Sequence, residues 1–519
     1  MRRQRAVLVP TLAALGSGIV VAQTRGTSFV EACAAAEGKY EVDTIHPDGK
    51  VDTAVFRLEA AVGSLGVAEG RAAFLELPGK LPALKYIGFG VTEAGLAADS
   101  QVVRDLSEFL YRAFQAIPDN DLSIINTDNC PSNGDLIESF VLASQWATVT
   151  DSAAFRAYLE TKVHFHNTMV DRLTTHRKGD VLVPLTEPWP VKAIAIEDLH
   201  GVLDAARLRE LPGVHVRTNE GEIATDHLLK FCLGNAVNSA MVYLLALSRQ
   251  RTANQFQEFP VISEYLDALF TPDILPALCA NGVAEQEARQ LYTEWLARMK
   301  HPHFGLDNFW VSQNALLRLY VRLLVSVNTN IAHDESYRPS VFMAYATAIA
   351  LRFLTPSQCD SKREIPTVFV GQMDPIQNGA PVFSLTEKTW AYDTGLTANL
   401  STGKYEFDDG EGGRVARLLW RASQNVLGAS QSSSHAFPSS ARAESSSEVS
   451  SGVGVAVASV LSTVKGFDLT NDVYASFAAD VAALYQRLVS GKQTAMETLS
   501  DVLRNHETSE YLGTKEEVA

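Results

Sequence analysis

Apolar and polar positions follow two different rhythms along this chain, and the change falls near residue 226. Before it, short apolar runs of strand length stand between polar or small residues. Residues 86–91 read YIGFGV and residues 122–126 read LSIIN. Each ends in polar or small side chains, as strands do when their carboxyl ends face a ligand in an open α/β sheet. Residues 51–67 are mixed and predict a strand followed by a helix. Beyond the change, residues 228–247, 284–299, 315–327 and 341–354 are apolar at helical spacing over lengths that suit helices. The expected fold class is α/β plus all-α: a Rossmann-like N-terminal nucleotide domain followed by a mainly helical C-terminal domain.

The expected boundaries are 1–225 for the dinucleotide-binding domain and 226–427 for the helical substrate domain. A polar stretch at 356–366 breaks the helical pattern. Residues 428–452 are dominated by serine, cannot bury enough surface to order themselves and predict a flexible segment. Residues 453–519 form a further helical region, and no internal repeat is visible.

Two readings compete at the N-terminus. Arg2, Arg3 and Arg5 precede an apolar run over residues 6–22, the layout of a secretory signal peptide. The other reading is a first Rossmann strand over residues 6–15 feeding a Gly16-Ser17-Gly18 turn. Pro10 within the run favours the strand, and so does the cysteine pattern. Cys33, Cys130, Cys232, Cys279 and Cys359 are scattered and odd in number, without CxxC spacing, which fits reduced thiols in a cytoplasmic protein. No other run is apolar for 18 residues or more, so no membrane span is expected.

Composition adds exclusions. The 519 residues are 46% hydrophobic and 20% charged, an ordinary globular balance too long for one core. The formal charge of −16 argues against a nucleic-acid partner, whose phosphates need neutralising. There is no HExxH and no cluster of Cys and His, and the close pair His164 and His166 lacks a third ligand, so no metal is expected.

The glycine turn permits close approach of backbone to a pyrophosphate, although the third glycine of GxGxxG is Val21 here. Asp43 lies 25 residues beyond Gly18, near the ~20 at which an acid holds a ribose hydroxyl. The plain alternative is a small-residue turn and a surface acid. Residues 226–241 read DHLLKFCLGNAVNSAM. On a helix, Lys230, Asn235 and Asn238 fall within an arc of roughly 140°, and Gly234 and Ala236 leave room beside them. Desolvation of a lysine on an apolar helix favours the neutral amine, which can act as a base. Neighbouring amides can hydrogen-bond an oxygen on which charge develops. The plain alternative is a snorkelling lysine among structural amides. In residues 163–173, VHFHNTMVDRL, Asn167 could offer a further amide, and Asp171 and Arg172 suit a structural ion pair.

Four segments then resemble the polyol-specific long-chain dehydrogenases, that is mannitol 2-dehydrogenase and the fructuronate and tagaturonate reductases. They are TEAGL at 92–96, DNCPSNG at 128–134, NTMVDRL at 167–173 and KFCLGN at 230–235. Glu187-Pro188 and Ile196-Glu197-Asp198 resemble the EP and IED segments between them. The resemblance covers roughly residues 10–355. It implies metal-independent, nicotinamide-dependent interconversion of a polyol secondary alcohol and its ketose, or the equivalent reaction of a hexuronate. It implies Lys230 as general base, with Asn235 and Asn167 on the reacting oxygen. Asn238, Asn129 and Arg172 become candidate substrate contacts. Gly16, Gly18, Asp43, Thr92 and Glu93 become candidate cofactor contacts, with NAD expected over NADP on account of Asp43.

The chain departs from the pattern in five places. The His of K-x4-N-x2-H is Asn238, and the acid three residues before the lysine is His227, with Asp226 beside it. His166 replaces the proline of PNTMVDR, the glycine-rich start is reduced to GSGIVVAQTRG, and an expected lysine is Asn314. These departures keep a second reading open, a weak or inactive relative that binds a nucleotide or a partner.

Overall fold

The computed structural model describes residues 4–91, 96–128, 130–148, 152–177, 179–248, 250–312, 315–355, 396–399, 404–407, 411–427 and 446–516. The chain divides into two units, Met1–His227 and Leu228–Ala519. Thr92, Glu93, Asn129 and Asn314 lie outside the described residues, as do 356–366 and most of the serine-rich segment.

The first unit is built on short strands in several small sheets. In one, β1 (Val20–Gln23) runs parallel to β4 (Ala60–Ser64). A four-stranded sheet has the order β3 (Val51–Arg57), β2 (Lys39–Ile45), β10 (Pro184–Thr186), β9 (Thr174–His176). A parallel sheet holds β5 (Tyr86–Phe89), β6 (Leu122–Asn126) and β7 (Val163–His166), with β6 central and every one of its residues buried. The last sheet places β11 (Ile194–Glu197) between parallel β12 (Val214–Arg217) and antiparallel β8 (Thr168–Val170). LSIIN and IAIE are near-continuous apolar runs because strands in the middle of such sheets are covered on both faces. The amphipathic helix Gln101–Ala116 lays Val103, Leu106, Leu110 and Ala113 on the core over β6.

Three expectations are corrected here. Residues 6–15 form no strand. A π-helical turn, Gln4–Leu8, runs into α1 (Val9–Ala14), and Ala6, Val7, Leu8 and Val9 are all buried. A segment apolar at all but one position carries no clear period, so strand and buried helix look alike in sequence. Pro10 falls at the change from π to α register, where its missing N–H is tolerated. Residues 51–67 give two strands, β3 and β4, and the next helix begins only at Ala68. The serine-rich segment, expected as loop to residue 452, is already helical from Ser446, in the helix Ser446–Leu461.

The second unit is mainly helical; its one described strand pair is Leu396–Asn399 with Lys404–Phe407. The π-helical segment Leu229–Gly234 leads into the helix Asn235–Leu247, which packs against Val341–Leu354, and Asp472–Val489 packs on the latter. Residues 236–246 and 342–351 are buried without interruption, as suits helices that are apolar all round. The helix Glu222–Leu247 is long and apolar enough to cross a membrane by length and composition, yet 72% of its apolar window is buried inside the protein.

Candidate functional site

Three of the segments singled out from sequence meet in the first unit as one buried polar cluster. β6 ends at Asn126, and the helix Asn133–Leu142 starts seven residues later. Asn133 Nδ2 donates to the Asn126 carbonyl at 3.3 Å, the Asp128 carbonyl at 3.2 Å and Thr168 Oγ1 at 3.0 Å. Its Oδ1 accepts from the Thr168 N–H at 2.9 Å. Asn167 is equally engaged. Its Oδ1 accepts from the Gly134 and Asp135 N–H groups at 2.9 and 3.2 Å, while Nδ2 donates to Asp135 Oδ1 at 3.0 Å and Glu197 Oε2 at 2.8 Å. Gly134 has to be glycine, because a Cβ there would come within 2.6 Å of the His166 carbonyl carbon.

Neighbouring charges are also committed. His166 Nδ1 faces the Glu197 carbonyl at 2.6 Å and must donate to it, while its buried Nε2 has no partner. Burial holds this imidazole below its ordinary pKa. Asp226, fully buried, accepts from Lys192 Nζ at 2.9 Å and from Arg217 Nε and Nη2 at 2.7 and 2.8 Å. Burial alone would raise its pKa; the hydrogen bonds and charges of Arg217 and Lys192 outweigh that and leave it lowered. Arg172 donates to the carbonyls of Glu187 and Ala6, and its guanidinium lies 4.1 Å from the Trp189 ring centre. Burial brings it down to about 10, so it stays charged at neutral pH.

Lys230, Asn235 and Asn238 belong to the second unit. Lys230 is 8% exposed and sits on the π-helical segment. There the Asn235 N–H donates to the Lys230 carbonyl, five residues back. That register brings residues five apart nearer to one face than an ordinary helix, which sets them roughly 140° apart. Asn238 is 9% exposed and its Oδ1 has no hydrogen-bond partner. Ser239 Oγ donates to the Asn235 carbonyl at 2.8 Å and accepts from Arg322 Nη1 at 3.4 Å. Gly234 keeps the turn thin, since a Cβ there would lie 3.3 Å from Trp295. Arg322 escaped the sequence reading: its contact with Ser239 spans 83 residues, and no local pattern announces it.

Two of the residues nominated for a dinucleotide, Gly16 and Asp43, are engaged within the fold. Gly16 (φ +79°) closes α1: its N–H donates to the Ala13 carbonyl at 2.9 Å and that of Ser17 to the Leu12 carbonyl at 3.3 Å. This is a Schellman cap at a helix C-terminus, the negative end of the dipole, where phosphate is disfavoured. Asp43 is 3% exposed, accepts from Thr53 Oγ1 at 2.7 Å and pairs with Arg177. A cavity of about 360 Å³ beside β4 carries Glu37 and Glu59 against one cation, Arg57. Among the described residues no group of three His, Cys, Asp or Glu side chains is placed to hold a metal.

Fold and buried site together define a chain with a Rossmann-like unit followed by a mainly helical one. Residues 60–200 match the mannitol dehydrogenase Rossmann domain family, and the resemblance carried by the four sequence segments stands. Two mannitol dehydrogenases of Saccharomyces cerevisiae are 28% identical over 165 residues, 30% of this chain and 32% of theirs. The match thus spans about a third of those relatives' length. An altronate oxidoreductase of Yersinia enterocolitica is 22% identical over 65% of this chain and 74% of its own. A D-arabinitol 4-dehydrogenase of Klebsiella pneumoniae is 25% identical over 56% and 68%. In fold, the chain is similar to Pseudomonas fluorescens mannitol 2-dehydrogenase, with a TM-score of 0.61 at 14% identity over 96% of this chain and 92% of that one. It is also similar to a D-sorbitol dehydrogenase, with a TM-score of 0.58 at 18% identity over 70% and 80%.

Proposed function

We propose that this chain is a nicotinamide-dependent oxidoreductase acting on the secondary alcohol of a polyol or a sugar acid, with Lys230 as the general base. The observation that carries the reading is the buried Lys230 on a π turn, its carbonyl bonded by the Asn235 N–H, one turn from an Asn238 whose Oδ1 lacks a partner. In this reading Lys230 Nζ takes the hydroxyl proton, and the Asn235 amide holds the oxygen. A substrate hydroxyl would supply the donor that Asn238 Oδ1 lacks, since a buried acceptor without one is costly. The relatives named as mannitol, arabinitol and altronate enzymes support the substrate class. The nicotinamide would supply the hydride chemistry; Gly16 caps a helix and Asp43 pairs with Arg177, so neither is assigned to holding it. Asp43, engaged with Arg177, gives no ground for preferring NAD to NADP.

Lys230→Ala should lower turnover of the best polyol or hexuronate by at least about 100-fold, the usual contribution of a general base, with circular dichroism unchanged. Turnover equal to the native protein's would overturn the assignment. A second reading, a relative without turnover that binds a nucleotide or a partner, is favoured by the glycine turn that caps a helix instead of opening one. Saturable NADH or NADPH binding with no turnover across polyols, ketoses and hexuronates would establish it.

A further inference from the structure

The strand–turn–helix that follows the glycine turn has the outline of a phosphate site. β1 ends at Gln23, Gly26 turns the chain at φ +67°, and α2 (Ser28–Ala35) begins directly after. A helix N-terminus reached from a strand through a glycine turn offers free N–H groups and the positive end of the dipole to an anion. Here two of those donors, the Phe29 and Val30 N–H groups, are already used. Gln23 is 7% exposed and turns its side chain back over the start of α2. Its Oε1 accepts from the Phe29 N–H at 2.9 Å and the Val30 N–H at 3.2 Å, and its Nε2 donates to the Arg25 carbonyl at 2.6 Å. The amide thus occupies the seat a phosphate oxygen would take, and does so without charge.

The same device recurs at the helix Asn133–Leu142, where Asn167 Oδ1 accepts from the Gly134 and Asp135 N–H groups. At both crossings two N–H groups of the helix start are taken by the protein's own amide oxygen, and at the Gly16 turn the chain presents a helix C-terminus.

We infer that Gln23 closes the first strand–turn–helix crossing to phosphate, so that residues 16–35 hold no part of a dinucleotide's pyrophosphate. Displacing Gln23 would only hand the same two N–H donors to the anion while leaving a buried amide without its partners, a cost that opposes the exchange. Whatever affinity the protein has for NADH or NADPH then arises elsewhere in the chain. The inference does not depend on the role given to Lys230, and the two fail separately. Loss of the Lys230 effect leaves the Gln23 contacts as they are.

Hydrogen–deuterium exchange of the full chain, followed in peptides spanning residues 24–36, tests this with NADH, NADPH and inorganic pyrophosphate as probes. Exchange there should be the same with and without each probe, whether or not nucleotide binding is detected by tryptophan fluorescence. In Gln23→Ala the Phe29 and Val30 amides should exchange about fivefold faster, the equivalent of losing a cap worth ~1 kcal/mol. Slower exchange in these peptides of the native protein on adding any of the three probes would overturn the inference. Unchanged exchange in Gln23→Ala would also overturn it, since Gln23 would then not be what holds those donors.

Discussion

The imidazole of His166 is 3% exposed, bonded through Nδ1 to the Glu197 carbonyl and without a partner at Nε2. Burial, with smaller contributions from His164 and His200, keeps its folded pKa below the ordinary 6.5 against the opposing Glu197 hydrogen bond and Asp198 charge. The unfolded chain therefore takes up this proton first as pH falls. Stability linked to His166 is whole above pH 6.5 and declines below it, until the folded state is protonated too. Urea unfolding of the native protein followed from pH 7 downward should show this slope below about 6.5. His166→Asn, which keeps a donor for the Glu197 carbonyl, should flatten it; an equal slope in the variant would assign the effect to other groups. Every polar atom of the Asn167 side chain is bonded within the first unit, so a role on substrate oxygen would require it to exchange partners.

At the scale of elements, α1 and the Leu229–Gly234 turn show how register assigns meaning to the same residue types. Gly16 and Gly18 look like the start of a dinucleotide loop, yet Gly16 serves the end of a helix. Nothing lies within 4 Å of a Cβ built on Gly16, so substitution there costs only backbone strain at φ +79°. Gly16→Ala should destabilise the first unit by about 1–2 kcal/mol, the penalty of the left-handed region for an L residue. Chemical denaturation reads this directly, and a variant as stable as the native protein would show that the cap is not formed. In the second unit, the π register narrows the angle between Lys230 and Asn235, which the 3.6-residue period sets at roughly 140°.

At the scale of the molecule, each unit carries its own buried side chains. The first unit's are split among several clusters over small sheets, while the second's centre on helices Asn235–Leu247 and Val341–Leu354. The net charge of −16 at pH 7 belongs to the whole chain and falls to zero near pH 5.3. Solubility should therefore pass through a minimum near pH 5.3 as self-repulsion vanishes, and rise again on either side. Turbidity against pH at low ionic strength measures it; a flat profile would show that net charge does not govern association.

The periodic elements were legible in the sequence, because a period is a property of neighbouring residues. The strand Leu122–Asn126 and the helix Val341–Leu354 appear with the residues their patterns mark, and the family segments carry across to a Rossmann-like unit. What lacked a period was decided by tertiary structure. Residues 6–15 are apolar except for Thr11 and carry no period, so only the space around them settles helix against strand. The partners of the polar side chains were equally out of reach. Asn167 bonds to residues 30 and 32 positions away and Asp43 pairs across 134, separations at which chain path alone sets the contact. Sequence nominated the chemistry of each side chain; the approach of distant backbone determined whether its donors and acceptors were left for a ligand or consumed by the fold.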